Sequence, residues 1–156
     1  MIKVNLYAVG KVKEEYFAKG IEEYAKRLKR YCEFRVTEIK EEPIKSDGRA
    51  DVLRALACEG ESVVRAIKGE YYVFAPEGEE MTSEEFSRFV SSKIDEGKDI
   101  NLVIGSSFGL SEAVKAGAKG KISFSKMTFP HTLFRLIACE QIYRAFTIIG
   151  GATYHK

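Results

Sequence analysis

The chain has 156 residues, 45% of them apolar and 31% charged, which is the composition of a folded globular domain. Its net charge of +2 conceals two basic ends, residues 1–31 and 113–156, around an acidic middle, and this distribution permits a nucleic-acid partner at one face. No segment is long and apolar enough to span a membrane, and the alternating N-terminus is typical of a strand rather than a signal peptide. We therefore expect one cytoplasmic domain over residues 1–156.

Strands and helices are predicted to alternate along the chain. Alternating apolar and polar residues predict a strand over residues 2–9, and apolar residues at steps of three and four predict a helix over residues 14–31. The remaining elements, in chain order, are a strand at Phe34–Ile39, a helix over 49–68, a strand at Tyr71–Phe74, a helix from Thr82 to Gly97, a strand at Ile100–Ile104, a helix over 111–117, a strand at Ile122–Phe124 and a helix over 132–148. This order predicts an α/β fold with a mostly parallel sheet and helices on both faces.

Two of these predictions rest on local signals. Residues 75–78, Ala-Pro-Glu-Gly, are expected to end the third strand, because proline cannot donate to a strand ladder. Thr82-Ser-Glu-Glu85 has the spacing of a capping box, which predicts a helix start.

The last helix is apolar around most of its circumference. Because an outer helix of such a domain normally has one solvent face, we expect this helix to pack also on a second copy of the chain. Ile142 and Ala145 are expected to face that copy. The sequence thus predicts a homodimer.

Several kinds of site are excluded by the sequence. It has no phosphate-binding P-loop, no G-x-G-x-x-G after the first strand and no G-x-S-x-G elbow. With two histidines and three dispersed cysteines, Cys32, Cys58 and Cys139, we expect reduced, semi-buried thiols and no metal site. Ligands of open α/β sheets bind at the carboxyl ends of the strands. Three loops lie there: after Tyr71–Phe74, at Gly105–Gly109 and at Ser125–His131.

These loops permit two interpretations each. Gly105 and Gly109 would let a backbone approach a ligand closely, or would only form a turn. Phe124, Met127 and Phe129 would line an adenine-sized slot, or would belong to the core. Glu140 and Arg144, four residues apart on the last helix, would be part of a site or would simply pair. The tail from Tyr154 to Lys156 combines an aromatic ring, a possible base and a cation, or it frays as termini often do.

Four separated motifs identify a resemblance that covers the whole chain. They are Leu102-Val-Ile-Gly-Ser-Ser-Phe-Gly-Leu110, Phe124-Ser-Lys-Met-Thr-Phe-Pro-His131, Glu140-Gln-Ile-Tyr-Arg-Ala-Phe146 and the terminal Tyr154-His-Lys156. In order and spacing they resemble the ribosomal large-subunit methyltransferase H family, small members of the SPOUT class. Leu6-Tyr-Ala-Val-Gly-Lys11 also fits this family.

The resemblance implies a fold, a cofactor and a substrate. The C-terminal part would form a deep trefoil knot, and a homodimer would bind S-adenosylmethionine (SAM) at its seam. The methyl group would go to N(3) of a pseudouridine in 23S rRNA of the assembled ribosome. The implied cofactor residues are Phe74, Gly105, Ser106, Gly109, Phe124, Ser125, Lys126, Met127, Thr128 and Phe129.

The chain departs from the family pattern at two positions. Ser106 replaces the second glycine of a Gly-Gly pair, and Ala75 stands where the family often has an acidic residue. Serine is small, so we expect the pocket to survive if its backbone does not require glycine.

The resemblance also places the C-terminal tail at the chemistry. His155 is the best candidate to remove the proton from the ring nitrogen, because an unperturbed imidazole has a pKa of about 6.5. Lys156 or Arg135 would stabilise the developing oxyanion, and Tyr154 would stack on the base. Two alternatives stay open at this point: a knotted RNA-binding dimer without catalysis, and a transfer-RNA methyltransferase.

Overall fold

The computed structural model describes residues 1–156 and contains five strands and five helices in strict alternation. They are β1 (Lys3–Val9), α1 (Glu15–Leu28), β2 (Glu33–Ile39), α2 (Arg49–Ala66), β3 (Tyr72–Glu80), α3 (Ser83–Asp95), β4 (Ile100–Ile104), α4 (Glu112–Gly117), β5 (Gly120–Ser123) and α5 (His131–Ile149). The strands form one fully parallel sheet in the order β2-β1-β4-β3-β5. The predicted fold class and every predicted element are therefore confirmed, with element ends displaced by a few residues.

The main error concerns β3, which was expected to stop at Phe74 and instead continues to Glu80. Its pairing with β5 skips from Phe74 to Glu79, so that both residues are in register with Ile122. The strand thus bypasses Pro76 with a bulge, the usual way for a strand to accommodate a residue without an N–H group. Gly78 permits this course, because a β-carbon there would lie 2.7 Å from the backbone carbon of Lys121.

The sheet buries a separate core on each face. Alternate residues of β1 divide between the faces, with Leu6 on the side of α1, α3 and α5 and Tyr7 on the side of α2 and α4. The first core contains 17 buried residues and the second contains 10. Helices on both faces are thereby confirmed.

Helix α3 begins as its sequence predicts. Thr82 accepts a hydrogen bond from the Glu85 backbone, and the Glu85 side chain accepts one from the Thr82 backbone in return. This reciprocal capping box fixes the start of α3 directly after β3.

Helix α5 lies between α1 and α3. Leu136 packs on Gly20 of α1, where a β-carbon would come within 2.8 Å, and Gln141 accepts a hydrogen bond from Ser83 of α3 at 2.8 Å. Ile142 and Ala145 are each 1% exposed within this chain's own core. The expectation that these two residues face a second copy was therefore wrong, because the sheet already covers them.

The three cysteines are free, but they differ in exposure. Cys32 and Cys139 are buried, and burial raises the pKa of each thiol to about 12. Cys58 is exposed on α2, which corrects the prediction of three semi-buried thiols. None of the helices is long and apolar enough to cross a membrane.

Candidate active site

A cavity of about 180 Å³ opens at the carboxyl edge of the sheet. It lies where β3, β4 and β5 end and where α5 begins. Its lining comes from Phe74, Ala75, Pro76, Ile104, Gly105, Ser106, Ser107, Gly109, Ile122, Ser123, Phe124, Ser125, Met127, Thr128, Phe129, His131 and Phe134. The three loops singled out in the sequence thus converge on one cavity.

Nine of the ten predicted cofactor residues line this cavity. The exception is Lys126, whose exposed side chain is not part of the lining. Met127 stands at the rim with 74% of its surface exposed. The Ser125 hydroxyl accepts a hydrogen bond from the Met127 backbone at 3.0 Å, which holds the β5–α5 loop in a local turn.

Aromatic rings form the inner wall of the cavity. The Phe74 ring centroid lies 4.9 Å from that of Phe124 and 5.2 Å from that of Phe134. Phe124 also meets Phe86 edge-on at 5.0 Å, so the wall continues into the core. Phe134 was not among the predicted site residues. Its place one turn after the start of α5 was the signal that could have assigned it to the site.

The Gly105–Gly109 loop is a tight turn with its own internal contacts. The Ser106 and Gly109 backbones exchange two hydrogen bonds of 3.2 and 2.8 Å, and Gly109 adopts a φ of +88° that favours glycine. A β-carbon on Gly105 would lie 2.4 Å from the carbonyl oxygen of Gly109. The loop's own backbone therefore requires glycine at 105, and Gly105 also lines the cavity, where it would let a ligand approach closely.

His131 was not among the predicted site residues, although it lines the cavity. Its Nε2 lies 3.5 Å from where a β-carbon on Gly10 would be. Gly10 lines a second, open groove of about 670 Å³ at the ends of β1 and β2. His131 consequently stands between the cavity and this groove.

Arg135 does not line the cavity. It is 3% exposed, and its guanidinium donates to Glu38 at 2.6 Å and to the Gly10 carbonyl at 3.1 Å. Arg135 thus ties α5 to the ends of β1 and β2. Only its buried Nε lacks a partner.

The C-terminal tail folds back on α5 of its own chain. The Tyr154 hydroxyl donates to Glu140 at 3.1 Å, and burial is the main cause that raises the pKa of this phenol. His155 bridges Arg144, 2.9 Å from its Nδ1, and Glu84, 2.7 Å from its Nε2. The hydrogen bond from His155 lowers the pKa of Glu84.

The hydrogen bonds of the tail include the predicted pair of Glu140 and Arg144 on α5, but they lie away from the cavity. Arg144 Nε donates to Glu140 at 2.9 Å, so the predicted pair exists. At 1.5 Å per residue, Glu140 is roughly 13 Å along the helix from His131. Lys156 is exposed, and no tail residue lines the cavity of the same chain.

The family model described as "Predicted SPOUT methyltransferase" matches residues 2–155. The chain belongs to the SPOUT methyltransferase family. Full-length relatives agree with this assignment. A Limosilactobacillus reuteri protein is 46% identical over 99% of this chain and 100% of its own length, and a Caldicellulosiruptor saccharolyticus protein is 47% identical over 100% of both. Both are named Ribosomal RNA large subunit methyltransferase H.

Solved structures show the same SPOUT fold at low sequence identity. Lpg2936 from Legionella pneumophila, solved with SAM bound, matches with a TM-score of 0.52 and 13% identity over 92% of this chain and 66% of that chain. A methylase family protein from Haemophilus influenzae matches with a TM-score of 0.50 and 12% identity over 99% and 70%. This chain spans about two thirds of the length of either structure.

As a SPOUT methyltransferase, the chain uses SAM as methyl donor. The cavity fits this group chemically, because its lining includes aromatic rings and loop backbone and no Lys, Arg, Asp or Glu. Aromatic faces suit both a flat adenine and a positively charged sulfonium. Phe74, Phe124 and Phe134 would hold the apolar part, and the backbone of the Gly105–Gly109 and Ser125–Phe129 loops would supply hydrogen bonds.

The structure contains no group of three or more His, Cys, Asp or Glu side chains arranged to bind a metal ion.

Proposed function

We propose that this SPOUT methyltransferase transfers the methyl group of SAM to N(3) of a pseudouridine in 23S rRNA of the assembled ribosome, in the cytoplasm. The similarity to relatives named Ribosomal RNA large subunit methyltransferase H carries this proposal. The alignments cover 99% and 100% of this chain and the full length of both relatives, at 46% and 47% identity.

The groove beside the cavity supports a polyanionic substrate. Lys11, Lys13 and Lys40 line it with exposed side chains, and none of them belongs to an ion pair. Of the two carboxylates in the groove, Glu38 is already neutralised by Arg135. Three free cations can therefore bind RNA phosphates next to the cofactor cavity.

A homodimer would cover apolar residues of α5 and would bring a C-terminal tail to the cavity. On α5, the apolar residues Leu133, Ile137 and Ile148 are only half-buried and lie outside the chain's core clusters. The tail of a chain contacts Glu140 and Arg144, and Glu140 lies roughly 13 Å along α5 from His131 at the cavity. A tail that acts in the cavity would therefore come from the partner subunit. The dimer seam would then bring cofactor loops and tail together.

The reaction requires loss of the ring N–H proton and in-line attack on the methyl carbon. SAM, when bound, supplies an electrophilic methyl group on a positively charged sulfur. His155 would accept the proton from the ring nitrogen on Nδ1 once Arg144 no longer donates to that atom, while Tyr154 stacks on the base. Lys156 is a better oxyanion partner than Arg135, because the terminal nitrogens of Arg135 already donate to Glu38 and Gly10.

The trefoil knot and the single domain over residues 1–156 also belong to this proposal. Both rest on the resemblance of the C-terminal motifs to the methyltransferase H family. A knotted crossing would join the loop after β4 to the segment entering α5, the two segments that line the cavity.

The test is methyl transfer from labelled SAM to three substrates: ribosomes that lack the modification, protein-free 23S rRNA and transfer RNA. We expect efficient transfer to ribosomes, weak transfer to free rRNA and none to transfer RNA, with the label at N(3) of a single pseudouridine by mass spectrometry. Equal rates on ribosomes and free rRNA would refute the ribosome as substrate, and labelled transfer RNA would favour the alternative enzyme.

A further inference from the structure

Glu59, in the middle of α2, is a buried carboxylate that the reaction does not use. It is 3% exposed, although burying a charged group is costly unless hydrogen bonds compensate. One oxygen, Oε2, accepts a hydrogen bond of 3.0 Å from the Glu42 backbone in the segment after β2. The other oxygen, Oε1, is buried without any partner. One carboxylate oxygen thus has a hydrogen-bond partner, and the other has none.

The position of Glu59 follows from its neighbour Gly60. A β-carbon on Gly60 would lie 2.7 Å from Ser111 Oγ and 2.8 Å from Val114 Cγ2. Only glycine therefore lets α2 approach the start of α4 this closely. Because α4 follows directly on the Gly105–Gly109 loop, this contact holds the middle of α2, which carries Glu59, near that loop.

Ser106, in that loop, has a hydroxyl group whose hydrogen lacks a close acceptor. It is 6% exposed, and its hydroxyl oxygen accepts a hydrogen bond from the Phe108 backbone at 3.3 Å. The hydroxyl donates only to the Gly109 carbonyl oxygen, and the distance from Ser106 Oγ to that oxygen is long, at 3.5 Å. The hydroxyl also lies close to the Glu59 carboxyl. Burial raises the pKa of this carboxyl, and hydrogen bonding from the Glu42 backbone and, to a smaller extent, from the Ser106 hydroxyl counteracts the rise.

We propose that Glu59 is a positioning residue of the cofactor site, which accepts the Ser106 hydroxyl on Oε1 while Oε2 holds the Glu42 backbone. In this way the carboxylate fixes the Gly105–Gly109 loop relative to the segment after β2. The serine that replaces a family glycine thereby gains a role, since glycine offers no hydroxyl to Glu59. The proposal rests on the proposed function only in taking this loop as part of the SAM site.

The test is a double-mutant cycle on SAM affinity. Glu59→Gln keeps the side-chain volume and the bond to Glu42 but removes the acceptor for Ser106, and Ser106→Ala removes the donor. We expect each to weaken SAM binding by about three- to tenfold in calorimetry, the range of one hydrogen bond. The double variant should bind SAM within twofold of the weaker single variant. Glu61→Gln, an exposed neighbour on α2, is the matched control.

A purely structural role for Glu59 predicts another pattern, in which thermal stability falls while SAM affinity per folded molecule stays constant. That pattern, or additive losses in the double variant, would overturn the proposal. Ser106→Ala decides by itself if the Glu59 variant does not fold, because unchanged SAM affinity there would overturn the proposal as well. A wild-type protein that binds SAM but leaves ribosomes unmethylated would refute the proposed substrate. The double-mutant cycle would still test the role of Glu59, because it measures SAM affinity alone.

Discussion

Replacing Gly105 by alanine tests whether the turn that it opens sets cofactor affinity. The added β-carbon would lie 2.4 Å from the carbonyl oxygen of Gly109 and 2.5 Å from its carbonyl carbon. Ordinary carbon contacts begin near 3.5 Å, so one side of the turn must move by roughly 1 Å. Overpacking of this kind costs about 1–3 kcal/mol.

In the ligand-free protein the loop can relax outward, because it faces the open cavity. SAM binding would require the original turn, so the cost should appear in the dissociation constant as a loss of about 5- to 150-fold. We expect calorimetry to show this loss with only a small change in Tm. Gly48→Ala is the control, since its β-carbon would meet only the exposed Ser46 hydroxyl, at 3.2 Å. A folded Gly105→Ala protein with wild-type SAM affinity would refute the reasoning.

Three further outcomes separate RNA binding, dimerisation and chemistry. Reversing the charges of Lys11, Lys13 and Lys40 should lower kcat/KM for ribosomes by at least about tenfold and flatten its salt dependence. The affinity for SAM should not change. An unaltered kcat/KM would show that the groove does not bind the RNA. Ile137→Asp should yield monomers in light scattering and abolish activity while the fold is kept, so an active monomer would disprove the dimer requirement. Deleting residues 154–156 should reduce kcat strongly and leave SAM affinity near normal; a normal kcat would remove the tail from the mechanism.

The sheet could be predicted because its signals are local. Alternation in β1, the capping box at Thr82 and the apolar period of α1 each depend on a few neighbouring residues, and the structure confirms them. The course of β3 past Pro76 could not be predicted in this way. It depends on a close contact between Gly78 and β5, a strand more than forty residues further along the chain.

The cavity was predicted well and the rest of the site less so. Strand ends of a parallel sheet must meet at one edge, which was enough to bring Phe74, Gly105 and Phe124 together. The sequence has no comparable rule for the side of a helix that faces the sheet when most of its residues are apolar. Ile142 was for this reason assigned to the wrong surface.

The burial of the Glu59 carboxylate could not be predicted from the sequence either. In the sequence Glu59 resembles the exposed charged residues of α2, whereas it is buried and contacts the segment after β2. The tail is a different case: its composition indicated a function, while its contacts with Glu140 and Arg144 are set by folding of the last five residues onto α5.

The bulge in β3 gives the cavity a wall that can yield. Residues 75–78 lie outside the register with β5, which is held on either side by Phe74 and Glu79. Ala75 and Pro76 line the cavity from this unpaired stretch. They can therefore shift to fit a ligand while the flanking strand pairs stay closed and Gly78 stays packed on β5. Amide hydrogen exchange should be fast at Glu77 and slow at Val73, and a ligand that seats against Pro76 should slow it at Glu77 alone.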